Sequence, residues 1–207
     1  TTECLTLRLL IDYAKAKRQK LYIIFIDFSK AYDRVPRDLM IQKMRELGCG
    51  SLMMQAIATI YSCTKMILRT VGITASVGVQ QGSPTSCLLF TLVVNDLIRS
   101  FKSQCAPDCF LGWLHALMLM DDTVIFATTR QRTHQKIKIL TDFCASSGMV
   151  INEAKTQFMV VNGQEEDRQP IRHENLKISN CDVYTYLGAI FTQDGKIASD
   201  VKAQSNA

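Results

Sequence analysis

Apolar residues fall into two kinds of run along this chain, and each kind predicts an element type. One kind is short, unbroken and rich in β-branched, aromatic or long aliphatic residues, as in Leu21-Tyr-Ile-Ile-Phe-Ile26 and Leu117-Met-Leu-Met120. Such runs predict buried strands, over 21–27, 113–120 and 123–127, with Asp121-Asp122 at the tight turn between the last two. The other kind recurs at helical spacing. It predicts a helix over 4–19, whose lysines and arginine gather at the C-terminal end where they complement the dipole. Pro36 and Gly48 bound a second helix at 36–47. Ser51 can cap a third, which carries Leu52, Ile57 and Ile60. Pro84 opens a helix that is apolar on nearly all sides from Cys87 to Leu97 and is therefore expected to be buried. Residues 131–147, with Ile137, Ile139, Leu140 and Phe143, predict an amphipathic helix ended by Gly148. Thr64 to Val79 reads as a hairpin around Val71-Gly72. Later strands are expected at 156–161, 176–178 and 183–192, with a polar loop at 162–169 and a polar tail from Gly195. The element pattern is α+β.

Three acids stand at the ends of the two strand-like runs. Asp27 closes one, and Asp121 with Asp122 closes the other. Taken singly, each aspartate simply ends a strand, because turn residues are common there. If the two strands are neighbours, three carboxylates converge, which is costly unless a divalent cation neutralises them.

Composition narrows the setting. With 47% hydrophobic residues in 207, the chain can bury a real core as one domain or two joined lobes. No apolar run approaches the roughly 18 residues needed to span a bilayer, and no secretory signal is visible at Thr1-Thr-Glu-Cys4. The abrupt start suggests a piece of a longer chain. A net charge of +5 is compatible with a phosphate-backbone partner. The eight cysteines lack paired Cys-x-x-Cys spacing and the three histidines are scattered, so structural zinc is not expected and free thiols in a reducing, intracellular setting are.

The text around the acids, and its order, carries more. Phe25-Ile-Asp-Phe-Ser-Lys-Ala-Tyr-Asp33 comes first, then Gln80-Gln-Gly-Ser-Pro-Thr-Ser86, then Leu119-Met-Asp-Asp122. Gly148-Met-Val-Ile-Asn152 with Lys155 follows, and Tyr184-Thr-Tyr-Leu-Gly188 comes last. This series resembles reverse transcriptases, most closely those of non-LTR (LINE-like) retrotransposons, at their palm motifs A to E. The resemblance covers essentially the whole chain.

It implies a right-hand polymerase palm, an antiparallel sheet packed on helices, with part of the fingers. Residues of about 21–34 and 81–195 would be palm, 1–20 and 35–80 fingers-side, and 196–207 a tail toward a thumb. The implied activity is RNA-directed DNA synthesis on a primer 3′ hydroxyl with two Mg²⁺ ions, Mn²⁺ being a substitute. Partners would be an RNA template, a DNA primer, deoxynucleoside triphosphates and the rest of a parent polyprotein, nuclear in its host. Asp27, Asp121 and Asp122 would hold the metals with the backbone carbonyl of Phe28. Tyr32 would exclude a ribose 2′ hydroxyl. Gln81, Gly82, Ser83 and Met120 would border the nucleotide, Lys155 would approach the leaving pyrophosphate, and Tyr186, Leu187 and Gly188 would grip the primer.

Plainer readings stand beside these. Tyr32 can be a core residue, Asp33 and Arg34 a surface pair, Lys155 a solvated lysine, Gln81-Gly-Ser-Pro84 a helix-start turn and Tyr186-Leu-Gly188 an ordinary strand end. Leu119 and Met120 depart from the aromatic residue and alanine usual before the acid pair. The basic finger residues of the family would lie upstream of Thr1 and its thumb beyond Ala207. A group II intron-type reverse transcriptase and a non-catalytic, nucleic-acid-binding remnant are the competing readings.

Overall fold

The computed structural model describes residues 1–62, 65–68, 71–74, 77–79 and 84–195, with backbone only at 65–68, 71–74 and 84. Gln81, Gly82, Ser83 and the tail from 196 lie outside the described residues. Helices α1 to α5 are Thr2–Lys17, Arg37–Glu46, Ser51–Ser62, Pro84–Gln104 and Arg130–Ser147. Strands β1 to β5 are Leu21–Ile26, Lys65–Leu68, Val71–Thr74, Ala116–Leu119 and Asp122–Ala127. Strands β6 to β10 are Gln157–Val161, Ile171–His173, Leu176–Asn180, Val183–Tyr186 and Ala189–Thr192.

The unbroken apolar run of β1 is buried at every position because it is enclosed from four directions. It pairs antiparallel with β5 on one side and β6 on the other, inside a six-stranded sheet ordered β4-β5-β1-β6-β8-β7. Alternate side chains leave opposite faces. Tyr22, Ile24 and Ile26 join Phe90, Val93 and Leu97 of α4 and Ile137 and Leu140 of α5. Leu21, Ile23 and Phe25 join Leu7, Ile11 and Ala14 of α1 and Tyr186 and Phe191 of the β9–β10 hairpin. A strand covered on both faces needs no polar alternation, which is why its sequence shows none. The sheet is antiparallel except where β8 runs parallel to β6.

Local chemistry sets the ends of the helices. Thr1 caps α1 by accepting the Cys4 N–H, and Arg18 closes it in the left-handed region. Thr129 caps α5, and Gly148 ends it at φ 71°. Several expectations are corrected. Ser51 lies inside α3, which starts from the Gly50 carbonyl, and Leu52 and Ile60 of that helix are exposed. Helix α4 is buried along one stripe (Leu89, Phe90, Val93, Val94, Leu97, Phe101) while Leu88 stays 63% exposed. Leu68 pairs with Val71, so Val71-Gly72 begins β3 and does not form the turn. The 183–192 segment is two strands reversed at Leu187 and Gly188, both at positive φ (49° and 78°), as a type I′ turn requires.

One charged cluster lies deep in the fold. Asp108 and Lys136 are both fully buried. Lys136 Nζ lies 3.4 Å from Asp108 Oδ2 and donates to the Phe126 carbonyl. Arg132 Nε is 3.3 Å from Asp108 Oδ1, and the Thr128 hydroxyl and N–H also donate to this carboxylate. Burial pushes the Lys136 ammonium toward its neutral form and Asp108 opposes that. The pair joins α5, β5 and the loop before β4, fixing the sheet end opposite the acid-bearing turn. Removing Asp108 strands a buried cation, whereas removing Lys136 leaves Arg132 facing the carboxylate. Asp108→Ala is therefore expected to cost about 3 kcal/mol and Lys136→Met less. Urea unfolding of the three chains tests the order, and equal losses would refute it.

Candidate active site

Strand β1 stops being apolar at Asp27, where the sheet ends and the chain meets solvent. Ile26 pairs with Thr123, so one step further along the register Asp27 stands opposite Asp122, the first residue of β5. Leu119 pairs with Asp122, which makes Met120 and Asp121 the two turn residues and Asp122 a strand residue, a correction to the expected turn. Sheet register alone thus brings the three expected acids together at one end of two strands. Asp122 feels it: its carboxyl is held above the ordinary carboxylate range by burial, then by Asp121 and Asp27.

The backbone past β1 is fixed from the other side. The Asp27 N–H donates to Thr156 Oγ1 (3.2 Å), and the Asp27 carbonyl accepts from the Asn152 N–H (2.8 Å). Ser29 N–H donates to the Val150 carbonyl (2.8 Å), which closes a bridge between Phe28 and Ile151. These bonds use the groups flanking Phe28, so its carbonyl remains outside the bridge while its ring is buried. Asn152 and Thr156 were not singled out from sequence as site residues. A backbone N–H and a lone hydroxyl carry no signal there.

Asp27 and Asp121 line one cleft of about 460 Å³, together with Phe28, Lys30, Tyr32, Arg34, Asn152 and Lys155. Tyr32 is half-buried and stacks on Phe90, with ring centroids 5.0 Å apart. Its hydroxyl donates to Cys87 Sγ at 3.7 Å. Burial, that bond and the charge of Asp121 push the phenol up to about 12, so it is neutral at physiological pH. Lys155 is largely exposed, and its Nζ lies 3.9 Å from Asp27 Oδ1. Met120 is half-exposed at φ 58°, a value L side chains adopt at a cost of roughly 1–2 kcal/mol.

The expected primer-contact residues divide. Tyr186 is buried, its ring against Phe25 and Phe191. Leu187 is half-buried and Gly188 exposed at the hairpin turn. The more exposed partner is Tyr184, which was missed. It lies two residues before Tyr186, stacks flat on Phe25 (3.9 Å between centroids, 9°) and its hydroxyl donates to the Lys155 carbonyl at 3.5 Å. Its phenol is pushed up by burial, then by Asp27 and Asp122. The period-2 spacing with Tyr186 was the signal available.

Among the described residues no three acidic, histidine or cysteine groups close around a single point. Asp27 and Asp121 instead share an open cleft of hard oxygen donors, and Asp122 does not line it. This donor set suits a hard ion such as Mg²⁺, which is usually held by one or two carboxylates and completes its shell with water and phosphate oxygens.

A family model described as "Reverse transcriptase (RNA-dependent DNA polymerase)" matches residues 2–191. The chain belongs to the reverse transcriptase family. It is 27% identical over 200 residues to the Pol polyprotein of the type-1 retrotransposable element R2 of Bradysia coprophila, covering 90% of this chain and 23% of that protein. To the Pol polyprotein of the type-2 element R2DM of Drosophila melanogaster it is 24% identical, covering 91% of this chain and 19% of that one. The chain thus spans about a fifth of the length of these curated relatives. Among solved structures, apo telomerase from Candida tropicalis shares the fold, with a TM-score of 0.63 at 16% identity over 93% of this chain and 35% of that one. Reverse transcriptases as a family use divalent metal ions, and the open carboxylate cleft fits that requirement.

Tyr184 supplies most of its support through its ring. Tyr184→Ala is expected to destabilise this reverse transcriptase chain by about 3 kcal/mol, whereas Tyr184→Phe keeps the stack and should cost under about 1 kcal/mol. Urea unfolding measures both, and equal losses would shift the role from ring to hydroxyl.

Proposed function

We propose that this chain is the catalytic palm, with part of the fingers, of an RNA-directed DNA polymerase from a non-LTR retrotransposon. The observation that carries the reading is the shared cleft of Asp27 and Asp121, set by sheet register inside a chain of this family. In the proposed division, 21–34 and 81–195 are palm, and 1–20 and 35–80 belong to the fingers side, α1 packing on the palm sheet through Leu7, Ile11 and Ala14.

The reaction needs a primer 3′ hydroxyl made nucleophilic and a pyrophosphate leaving group stabilised in line. Two Mg²⁺ ions, when bound, would supply the first by lowering the hydroxyl pKa and the second by charge. Asp27 and Asp121 would hold both, Asp122 and the Phe28 carbonyl would each add one ligand. Every other task falls to the chain itself. Asp27 is oriented by Thr156 and Asn152 through its own backbone. Tyr32, braced on Phe90, presents a neutral aromatic wall that excludes a ribose 2′ hydroxyl by bulk. Lys155, 3.9 Å from Asp27 Oδ1 and largely exposed, is assigned to the leaving pyrophosphate. Gln81, Gly82, Ser83 and Met120 are assigned to the nucleotide, and the Tyr186–Gly188 turn to the primer strand. The template is RNA, the primer DNA, and the parent protein works in the nucleus.

Primer extension on an RNA template with Mg²⁺, using the longer parent protein, tests this. Asp121→Asn should abolish synthesis. Tyr32→Val should reduce discrimination against ribonucleotides about ten- to hundredfold while much deoxynucleotide addition survives. Retained sugar selectivity would make Tyr32 a packing residue, and synthesis independent of Asp121 would refute the polymerase reading. Residues 1 to 207 alone should bind primer-template weakly and steeply salt-dependently and polymerise little, because positioning by the remaining lobes is absent.

A further inference from the structure

Arg37 opens α2, stands outside the cleft of Asp27 and Asp121, and has no part in the scheme above. Its half-buried guanidinium nevertheless holds two pieces of backbone that are distant in sequence. Nε donates to the Gly78 carbonyl (2.9 Å) and Nη1 to the Tyr61 carbonyl (2.6 Å), with the guanidinium carbon 5.1 Å from the centre of the Tyr61 ring. The Tyr61 carbonyl belongs to the last turn of α3, where carbonyls lack intrahelical partners and the dipole favours a cation. Between these two acceptors the chain passes through the β2–β3 hairpin. One side chain therefore ties together the segments that enter and leave that hairpin.

Both anchored segments run on into the wall of the cleft. Gly78 N–H donates to the Val35 carbonyl and Val79 N–H to the Tyr32 carbonyl, each at 2.8 Å, and Pro36 bridges Val77, so a short ladder carries the backbone of Tyr32. The ladder is tight: a Cβ added at Gly78 would stand 2.9 Å from the Asp33 carbonyl oxygen. In the other direction the buried hydroxyls of Tyr61 and Ser86 are 3.4 Å apart, which links Tyr61 to the first turn of α4. Val79 and Ser86 flank the stretch assigned to the nucleotide, Gln81 to Ser83. Arg37 thus reaches both flanks of that stretch, and the backbone of Tyr32, while standing outside the cleft itself.

We propose that Arg37 is a positioning residue for nucleotide selection, acting through Gly78 and Tyr61 to fix where Tyr32 and the segment before α4 stand. The proposal rests on the reading of Tyr32 as the wall that excludes a ribose 2′ hydroxyl, and it places a determinant of that selectivity outside the cleft. A planar fork with several directed donors can serve both carbonyls and lie against the Tyr61 ring, whereas the ammonium of a lysine is a point charge. Without the fork the wall of the cleft loses its fixed spacing. Nucleotide binding and sugar discrimination, which depend on small displacements, are the properties that change first.

Primer extension by the longer parent protein, comparing dCTP with CTP, tests this on Arg37→Lys and Arg37→Ala. Arg37→Lys should raise KM for dCTP about tenfold, change kcat by less than about threefold and cut discrimination against CTP about five- to tenfold. Arg37→Ala should lose more discrimination, and millimolar guanidinium should restore part of it by refilling the space between the two carbonyls. A residue that only stabilised the fold would lower the fraction of active enzyme, so kcat would fall while KM and discrimination held. That pattern, or discrimination unmoved in both variants while Tyr32→Val relaxes it, overturns the proposal and leaves the sugar-excluding wall in place. If Tyr32→Val keeps discrimination intact, the wall reading fails and Arg37 is decided by KM alone: a rise reversed by guanidinium upholds its positioning role, and an unchanged KM overturns it.

Discussion

The rest of the structure depends on how β1 is buried. Six consecutive apolar residues are covered by helices α4 and α5 on one face and by α1 and the β9–β10 hairpin on the other. Such enclosure offers β1 no partner for a charge, so the first carboxylate of the segment stands where the layers end. The antiparallel register with β5 then decides which residue it meets there, and that residue is another acid. The acids meet because the core around β1 is closed, and any shift of β1 by one residue would exchange its two core faces and dismantle the site together.

Like charges gathered this way must be compensated. Lys155 begins to do so at Asp27, and Lys30 and Arg34 stand by in the same cleft. Asp122 is held above the ordinary carboxylate range first by burial and then by Asp121 and Asp27. An open arrangement of this kind is suited to a metal that comes and goes with its phosphate ligand, in contrast to a closed cage that would hold an ion permanently.

Much of this was legible in the sequence where burial and chemistry coincide. The end of β1 at Asp27, the helix from Pro84 and the cap at Gly148 all follow from residue types with one strong preference. The misses have physical causes. Val71-Gly72 carries the glycine of a turn yet sits in a strand, because the pairing of Leu68 with Val71 overrides local preference. Met120 occupies a left-handed turn position that its type disfavours, so the turn was placed one residue late. Tyr184 looked like any strand tyrosine, since its value comes from Phe25, which is distant in sequence. Arg34 reads as a surface charge and is exposed, and only the folded chain shows that it lines the cleft of the acids.

The order of pairing around β1 bears on how the protein is made. Its neighbours are β5 and β6, which begin only at Asp122 and Gln157. While the chain emerges from the ribosome, this apolar segment waits through nearly a hundred residues for β5 and about 130 for β6. Non-local pairing of this kind slows folding and leaves hydrophobic edges exposed in the meantime. Synthesis therefore passes through a vulnerable interval, and a nascent chain stopped before β6 would offer β1 to aggregation or to a chaperone.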